Sequence, residues 1–121
     1  MANRKTTHRA LRVYVASVMT EGDVAANVRA ACDVADDLLR GGLVPYLPHL
    51  DHFWHLIHPH DYETWMALDF AWLAACDVLV RLPGASPGAD REVAEAEHLG
   101  IIVVQLEPGR RASAQVREAL R

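Results

Sequence analysis

Short β-branched runs alternate with helical segments along this chain, and this alternation is the feature that most constrains its fold. The runs LRVYVASV (11–18), DVLVRL (77–82) and IIVVQL (101–106) are typical of buried strands. A shorter run, LVPYL (43–47), predicts one more strand. Because proline has no N–H to donate to a neighbouring strand, Pro45 favours an edge position for it.

Helices are predicted between and after these strands. The first, over residues 23–42, has apolar residues at steps of three and four, Asp23 as a candidate N-cap and glycines at its end. Further helices are predicted over residues 61–76, 88–99 and 113–121. Strand and helix therefore follow one another along most of the chain.

This order predicts an α/β fold, a small doubly wound and mostly parallel sheet of four to five strands with helices on both faces. A chain of 121 residues fits one domain, in which we expect residues 1–10 to be a flexible tail. Sheets of this kind bind ligands beyond the carboxyl ends of the strands, where the strand order reverses. The loops after the first three strands are therefore the places to search for chemistry.

Composition and charge argue against several classes of function. The formal net charge is −4, and no basic patch that could bind a phosphate backbone is evident, so no nucleic-acid polymer is expected as a partner. The apolar run near the basic N-terminus is too short for a signal-peptide core or a membrane span. Cys32 and Cys76 show no metal-ligand or redox spacing, so we expect reduced thiols in a cytoplasmic protein.

Asp69 lies within the apolar stripe of the helix predicted over 61–76. At about 100° per residue it shares one side of that helix with Trp65, Trp72 and Leu73. A carboxylate buried without partners is costly, so a residue in this position is usually hydrogen-bonded, paired or functional. The alternative is a boundary aspartate that reaches water or caps a neighbouring element.

The stretch LPGASPGADREVAEAEHLG (82–100) places two acids near the start of a predicted helix. Ser86 fits the N-cap of that helix, with Pro87 in the first turn. Asp90 is expected to complement the helix dipole. Glu92 lies at the edge of the sheet-facing row, from which a side chain can reach over the end of the sheet. Spacing alone leaves a catalytic and a structural role for Glu92 equally open.

Residues 48–61 show no clear period and are predicted to form a loop, which is crowded with His49, His52, His55, His58 and His60. No Cys or carboxylate accompanies these histidines at a zinc-site spacing, so no metal is predicted. The chain also lacks dinucleotide-binding and P-loop motifs, and no cofactor is predicted. We interpret the segment as a lid over a ligand pocket, with Phe53 and Trp54 as its apolar part. A dimer interface is the alternative.

Tyr14 lies in the middle of the first predicted strand, where a tyrosine is most often part of the core. A buried hydroxyl needs a hydrogen-bond partner, and a nearby carboxylate would serve. We therefore expect Tyr14 to meet an acidic side chain.

Taken in order, these residues resemble the nucleoside 2-deoxyribosyltransferase-like superfamily. The segments YLPHLDHFW, WMALDFAWLAACD and RLPGASPGADREVAEA carry the resemblance, which runs from about residue 11 to 106 and is closest to a small, functionally uncharacterised branch. The superfamily has a flavodoxin-like sheet and acts on N-glycosidic bonds of nucleosides or nucleotides, often as homodimers or larger oligomers. The resemblance thus implies a small-molecule substrate and a homo-oligomer. The shortness of the apolar run is the reason that no membrane partner is expected.

Position by position, the resemblance implies a role for each candidate. Glu92 matches the nucleophilic glutamate, and Tyr14 matches an aromatic residue that approaches it. Asp69 resembles the aspartate that positions the ribose and the nucleophile or handles the proton of the leaving base. Ser86 falls where relatives place a polar ligand-binding residue. The other residues expected to contact the substrate are Ser17, Gly88, His49, His52 and Trp54, of which the last three lie in a segment that is not a feature of the well-known transferases.

The loop ASVMTEGD after the first strand keeps Ser17 but lacks the arginine found in nucleotide-hydrolysing relatives, so a nucleoside is slightly favoured. We predict cleavage or transfer at an N-glycosidic bond through a glycosyl-enzyme on Glu92, with Asp69 managing protons. Hydrolysis and transfer both stay open. The alternative is a non-catalytic module on the same fold that binds or senses nucleosides or nucleotides.

Overall fold

The computed structural model describes residues 9–121, in which strands and helices alternate. The strands are β1 (Arg12–Ala16), β2 (Val44–Tyr46), β3 (Val78–Arg81) and β4 (Ile102–Gln105). The helices are α1 (Val24–Arg40), α2 (Asp51–Ile57), α3 (Tyr62–Leu73), α4 (Pro87–His98) and α5 (Ala112–Ala119), and a 3₁₀ turn (Pro48–Leu50) precedes α2. Most of the predicted N-terminal tail, residues 1–8, lies outside the described residues. Arg9, at its end, pairs with Asp77 at 2.7 Å.

The four strands form one parallel sheet in the order β2-β1-β3-β4. This confirms the predicted α/β fold with a parallel, flavodoxin-like sheet, at the lower end of the predicted strand number. Pro45 lies in β2 at one edge of the sheet, as its missing N–H predicted. The chain passes from β1 to β2 on one side and returns to β3 on the other, so the strand order reverses between β1 and β3.

Alternation of side chains along the strands divides the core into two layers. Val13 and Val15 point to one face, where the strands pack with residues of α1 and α5 such as Leu38 and Val116. The other face carries Tyr14, Ala16 and Leu79, which pack with Leu73 of α3 and with Ala89 and Ala96 of α4. Both faces of the sheet are therefore covered. Tyr14 belongs to the second layer, and the helices packed there, α3 and α4, carry Asp69 and Glu92.

The caps predicted for α1 and α4 are confirmed. Asp23 accepts a hydrogen bond from the Ala26 N–H at 3.1 Å, and Ser86 accepts one from the Ala89 N–H at 3.1 Å. Gly41 caps the C-terminus of α1. None of the helices in this part of the chain is long and apolar enough to cross a membrane.

The prediction of a loop over 48–61 is wrong, because residues 48–50 form the 3₁₀ turn and residues 51–57 form α2. No residue of α2 is buried, so the helix has no apolar period that the sequence could reveal. The helix predicted over 61–76 is three residues too long, since α3 ends at Leu73. Trp72 is 52% exposed and stacks on the Tyr46 ring at 5.6 Å, so it is not enclosed in the core as Asp69 is.

Candidate active site

A cavity of about 780 Å³ lies beyond the carboxyl ends of the strands. Its walls come from the segment after β1, the 3₁₀ turn, α2, α3 and the first two turns of α4. This is the place where the strand order reverses, and the volume falls within the range of small-molecule pockets. The three loops that the sequence pointed to thus meet at one cleft.

Most of the predicted site residues line this cavity, namely Glu92, Asp69, Ser17, Ser86, Gly88, His49 and His52. Tyr14 and Trp54 do not. Tyr14 is completely buried beneath the site, and Trp54 is 51% exposed. The ring of Trp54 packs edge-on against Trp65 at 5.1 Å, and it is Trp65 that lines the cavity. Trp54 therefore supports the wall from behind.

Glu92 projects from the second turn of α4, is 6% exposed and accepts a hydrogen bond from the Tyr14 hydroxyl. Burial raises the pKa of Glu92 to about 7, against the opposing effects of the Tyr14 hydrogen bond and the positive charge of Arg81. Burial, followed by the charge of Glu92, raises the pKa of Tyr14 far above its usual range. Tyr14 is thus a permanent donor to the carboxyl, which is the partner that the sequence predicted.

Asp69 is 7% exposed and faces the same cavity from α3. Burial, a hydrogen bond with the Asp51 carboxyl and the charges of Asp51 and Glu92 raise the pKa of Asp69 to about 9. The Tyr46 hydroxyl lies 3.5 Å from Asp69 Oδ1. Asp69 therefore carries a proton at neutral pH. The sequence does not single out Asp51, because its segment is predicted to be a loop and its only signal is an acid in the first turn of a helix.

His49 is 2% exposed, and its Nε2 lies 2.8 Å from the Ser17 hydroxyl oxygen. Burial lowers the pKa of His49, so the ring is neutral at physiological pH. The Ser17–His49 contact joins the segment after β1 to the 3₁₀ turn after β2. It therefore fixes one wall of the cavity.

The wall formed by α2 and α3 is held together at His55. Nδ1 of His55 accepts hydrogen bonds from the Trp65 indole N–H at 2.8 Å and from the His60 backbone N–H at 3.2 Å. His60 also packs edge-on against the Trp65 ring at 5.3 Å. The predicted lid is therefore an aromatic wall whose apolar lining comes from Trp65 and Met66, and Phe53 is exposed instead.

Two arginines near the site were also missed. Arg81, at the end of β3, is 8% exposed and donates to the carbonyls of Leu82 and Gly84, which shapes the loop before α4. It also pairs with Asp90 at 3.2 Å, so Asp90 has a partner besides the helix dipole. Arg91 lines the cavity and pairs with Glu63 through two hydrogen bonds of 2.9 and 3.1 Å.

Within residues 9–121 no group of three or more His, Cys, Asp or Glu side chains is arranged to hold a metal ion. Among the histidines of this segment, His49 contacts Ser17, and His55 accepts from the Trp65 indole N–H and the His60 backbone N–H.

One sequence family matches this chain over residues 11–106, from just before β1 to just after β4. The chain belongs to the family called Domain of unknown function (DUF7768). The matched range contains Tyr14, Asp51, Asp69 and Glu92, so the whole carboxyl site lies inside the family domain. A search of curated proteins finds no match.

Proposed function

We propose that this protein cleaves the N-glycosidic bond of a nucleoside, or transfers its sugar, with Glu92 as the nucleophile and Asp69 as the proton donor. The observation that carries the proposal is that two buried carboxyls line one cavity and differ in pKa, about 7 for Glu92 and about 9 for Asp69. Pairs of acids whose environments separate their pKa values are typical of acid–base division of labour. The proposal extends to this chain the activity of the superfamily that it resembles.

In the first step, a carboxylate oxygen of Glu92 attacks the anomeric carbon of the sugar and forms an ester bond with it. The C–N bond breaks, and its electron pair goes to the base nitrogen. The base leaves as a neutral molecule because Asp69 delivers its proton to it. In the second step, water or a second base attacks the anomeric carbon, Glu92 leaves as a carboxylate, and Asp69 recovers a proton from the attacking group.

The surroundings of the two acids suit these roles. Near neutral pH a carboxyl with a pKa of about 7 is ionised in a substantial fraction of molecules, which a nucleophile requires. Tyr14 donates to Glu92 from the rigid centre of β1 and holds the carboxyl in one orientation. Asp69, whose pKa is about 9, is protonated at neutral pH and can donate its proton when the C–N bond breaks.

Charge around the cavity favours a nucleoside over a nucleotide. The lining carries the acids Glu21, Asp51, Asp69 and Glu92, of which Asp69 is protonated at neutral pH. Its guanidinium, Arg91, is already neutralised by Glu63. A phosphate would therefore enter a predominantly acidic cleft, at an unfavourable electrostatic cost.

We also propose that the protein is a cytoplasmic homodimer or larger homo-oligomer. Cys32 and Cys76 are free thiols, which suits a reducing compartment. Exposed apolar side chains of α2, including Phe53, Leu56 and Ile57, suit self-association, since contiguous exposed apolar surface commonly marks an interface.

Mass spectrometry of the intact protein after incubation with a mixed nucleoside panel tests the proposal. Wild type should release free base and gain the mass of one sugar on Glu92, whereas Glu92→Gln should do neither. Glu97→Gln, an exposed glutamate on the same helix, is the matched control and should behave as wild type. Saturable nucleoside binding without base release in wild type would contradict the proposal and favour the non-catalytic binding module.

A further inference from the structure

Asp51 occupies a position that an isolated carboxylate could not hold at low cost. It is the first residue of α2, it lines the cavity, and its Oδ2 is fully buried. Within the described residues this oxygen has no N–H or hydroxyl partner. A buried acceptor without a donor is strongly disfavoured, so Asp51 Oδ2 needs a donor that the neighbouring N–H and hydroxyl groups do not supply.

The available source is Asp69. Asp51 and Asp69 line the same cavity, and a hydrogen bond between their carboxyls contributes to the raised pKa of Asp69. Two ionised carboxylates cannot form such a bond, because neither has a proton to donate. In the part of the chain that the structure describes, neither acid pairs with a lysine or arginine. We propose that Asp51 and Asp69 share one proton across the cavity wall, which makes Asp51 the positioning residue that keeps Asp69 a donor.

The other groups around the pair act in the same direction or are already engaged. Glu92 faces the pair from α4, and its negative charge favours the protonated form of Asp69. Tyr46 approaches Asp69 from β2, whereas Tyr14 donates to Glu92. His49, in the turn before Asp51, is neutral and bonded to Ser17. The Arg91 guanidinium at the rim is held by Glu63.

The use of this pair in catalysis rests on the proposed function, which it deepens. When Asp69 gives its proton to the departing base, two negative charges are left side by side on Asp51 and Asp69. Their repulsion makes the ionised pair a strong proton acceptor. The same pair would then remove the proton from the water or base that attacks the sugar, which returns it to the singly protonated state.

Carboxyl-carbon NMR of protein labelled at aspartate tests the pairing without any substrate. Wild type should show one aspartate carboxyl that titrates well above the usual range, and this signal should vanish in Asp69→Asn. In Asp51→Asn the Asp69 signal should titrate about one to two pH units lower, because a negative charge is lost and the amide can donate to ionised Asp69. Asp33→Asn, on the exposed side of α1, should leave the Asp69 titration unchanged.

An Asp69 signal that titrates in the usual aspartate range in wild type would overturn the inference, and so would one that Asp51→Asn leaves in place. If Asp51→Asn does not fold, Asp51→Glu keeps the carboxyl and should keep an elevated Asp69 titration; a normal one would count against the pairing. The proposed function fails separately. If the NMR titrations show the shared proton but no base is released, only the enzyme proposal is wrong. If base release depends on Glu92 but Asp51→Asn leaves the Asp69 titration in place, only the pairing of Asp51 with Asp69 is wrong.

Discussion

Replacing Glu92 with glutamine measures how much the buried, ionisable carboxyl of Glu92 changes the free energy of unfolding as the pH rises. The side chain is 6% exposed, and its pKa is raised from 4.5 to about 7, chiefly by burial. Glutamine has nearly the same size and can accept the Tyr14 hydrogen bond through its amide oxygen. It cannot ionise, so the substitution removes the titration while it preserves the packing.

A carboxyl whose pKa is higher in the folded than in the unfolded state binds more protons when folded. The free energy of unfolding therefore falls as the pH rises from about 4.5 to about 7, and the contribution of Glu92 is constant above that range. At about 1.36 kcal/mol per pH unit, this contribution amounts to about 3 kcal/mol. Wild type should thus lose about 3 kcal/mol more stability than Glu92→Gln between pH 4.5 and pH 8.

Urea unfolding of both proteins at the two pH values supplies the measurement. The difference of differences cancels groups that titrate equally in both proteins, including most of the contribution of Asp69. Glu97→Gln, on the exposed face of α4, should show the pH dependence of wild type. If wild type and Glu92→Gln lose stability in parallel, Glu92 is solvated or ion-paired in solution, and the reasoning from its burial is refuted.

Three further predictions concern the partners of Glu92 and the core. Tyr14→Phe removes a hydrogen bond to a charged group, which is worth about 1.5–3 kcal/mol. Base release at neutral pH should therefore fall about 10- to 100-fold, and an unchanged kcat/KM would contradict the role of the hydroxyl. The pH–rate profile of wild type should rise near pH 7 with Glu92 and fall near pH 9 with Asp69, and residual activity of Asp69→Asn should lack the basic limb. Leu38→Ala should lower the free energy of unfolding by about 2–5 kcal/mol in urea unfolding, because the Leu38 side chain is fully buried. A loss below about 1 kcal/mol would be inconsistent with that packing.

The sheet and the two principal acids could be predicted from the sequence because each has a strong local signal. β-branched runs mark strands that are buried on both faces, as Val78–Arg81 is. Asp69 stands out as a carboxylate in an apolar helix, and it is indeed buried. Ser86 precedes a proline in the order expected of a helix start, and it caps α4. In each case, neighbouring residues in the sequence carry the information.

The partners of these acids could not be predicted, because their roles depend on contacts between distant segments. Asp51 belongs to a helix with no buried residue, so no apolar period marks that helix and nothing singles out its first carboxyl. Trp54 and Trp65 look equally suited to a pocket, yet the direction of each side chain places only Trp65 on the cavity. Arg81 reads as part of a strand, and its contact with the loop before α4 appears only after folding.

The two hydrogen bonds accepted by His55 tie two parts of the cavity wall to one imidazole nitrogen. Because Nδ1 serves two donors, it carries no proton, and the ring is the neutral tautomer with its proton on Nε2. One ring nitrogen thus fixes both the Trp65 indole and the His60 backbone, and loss of this acceptor in His55→Ala would free both together. The sheet is packed on both faces by residues other than His55. The cavity wall and the core of the domain are therefore held by separate contacts.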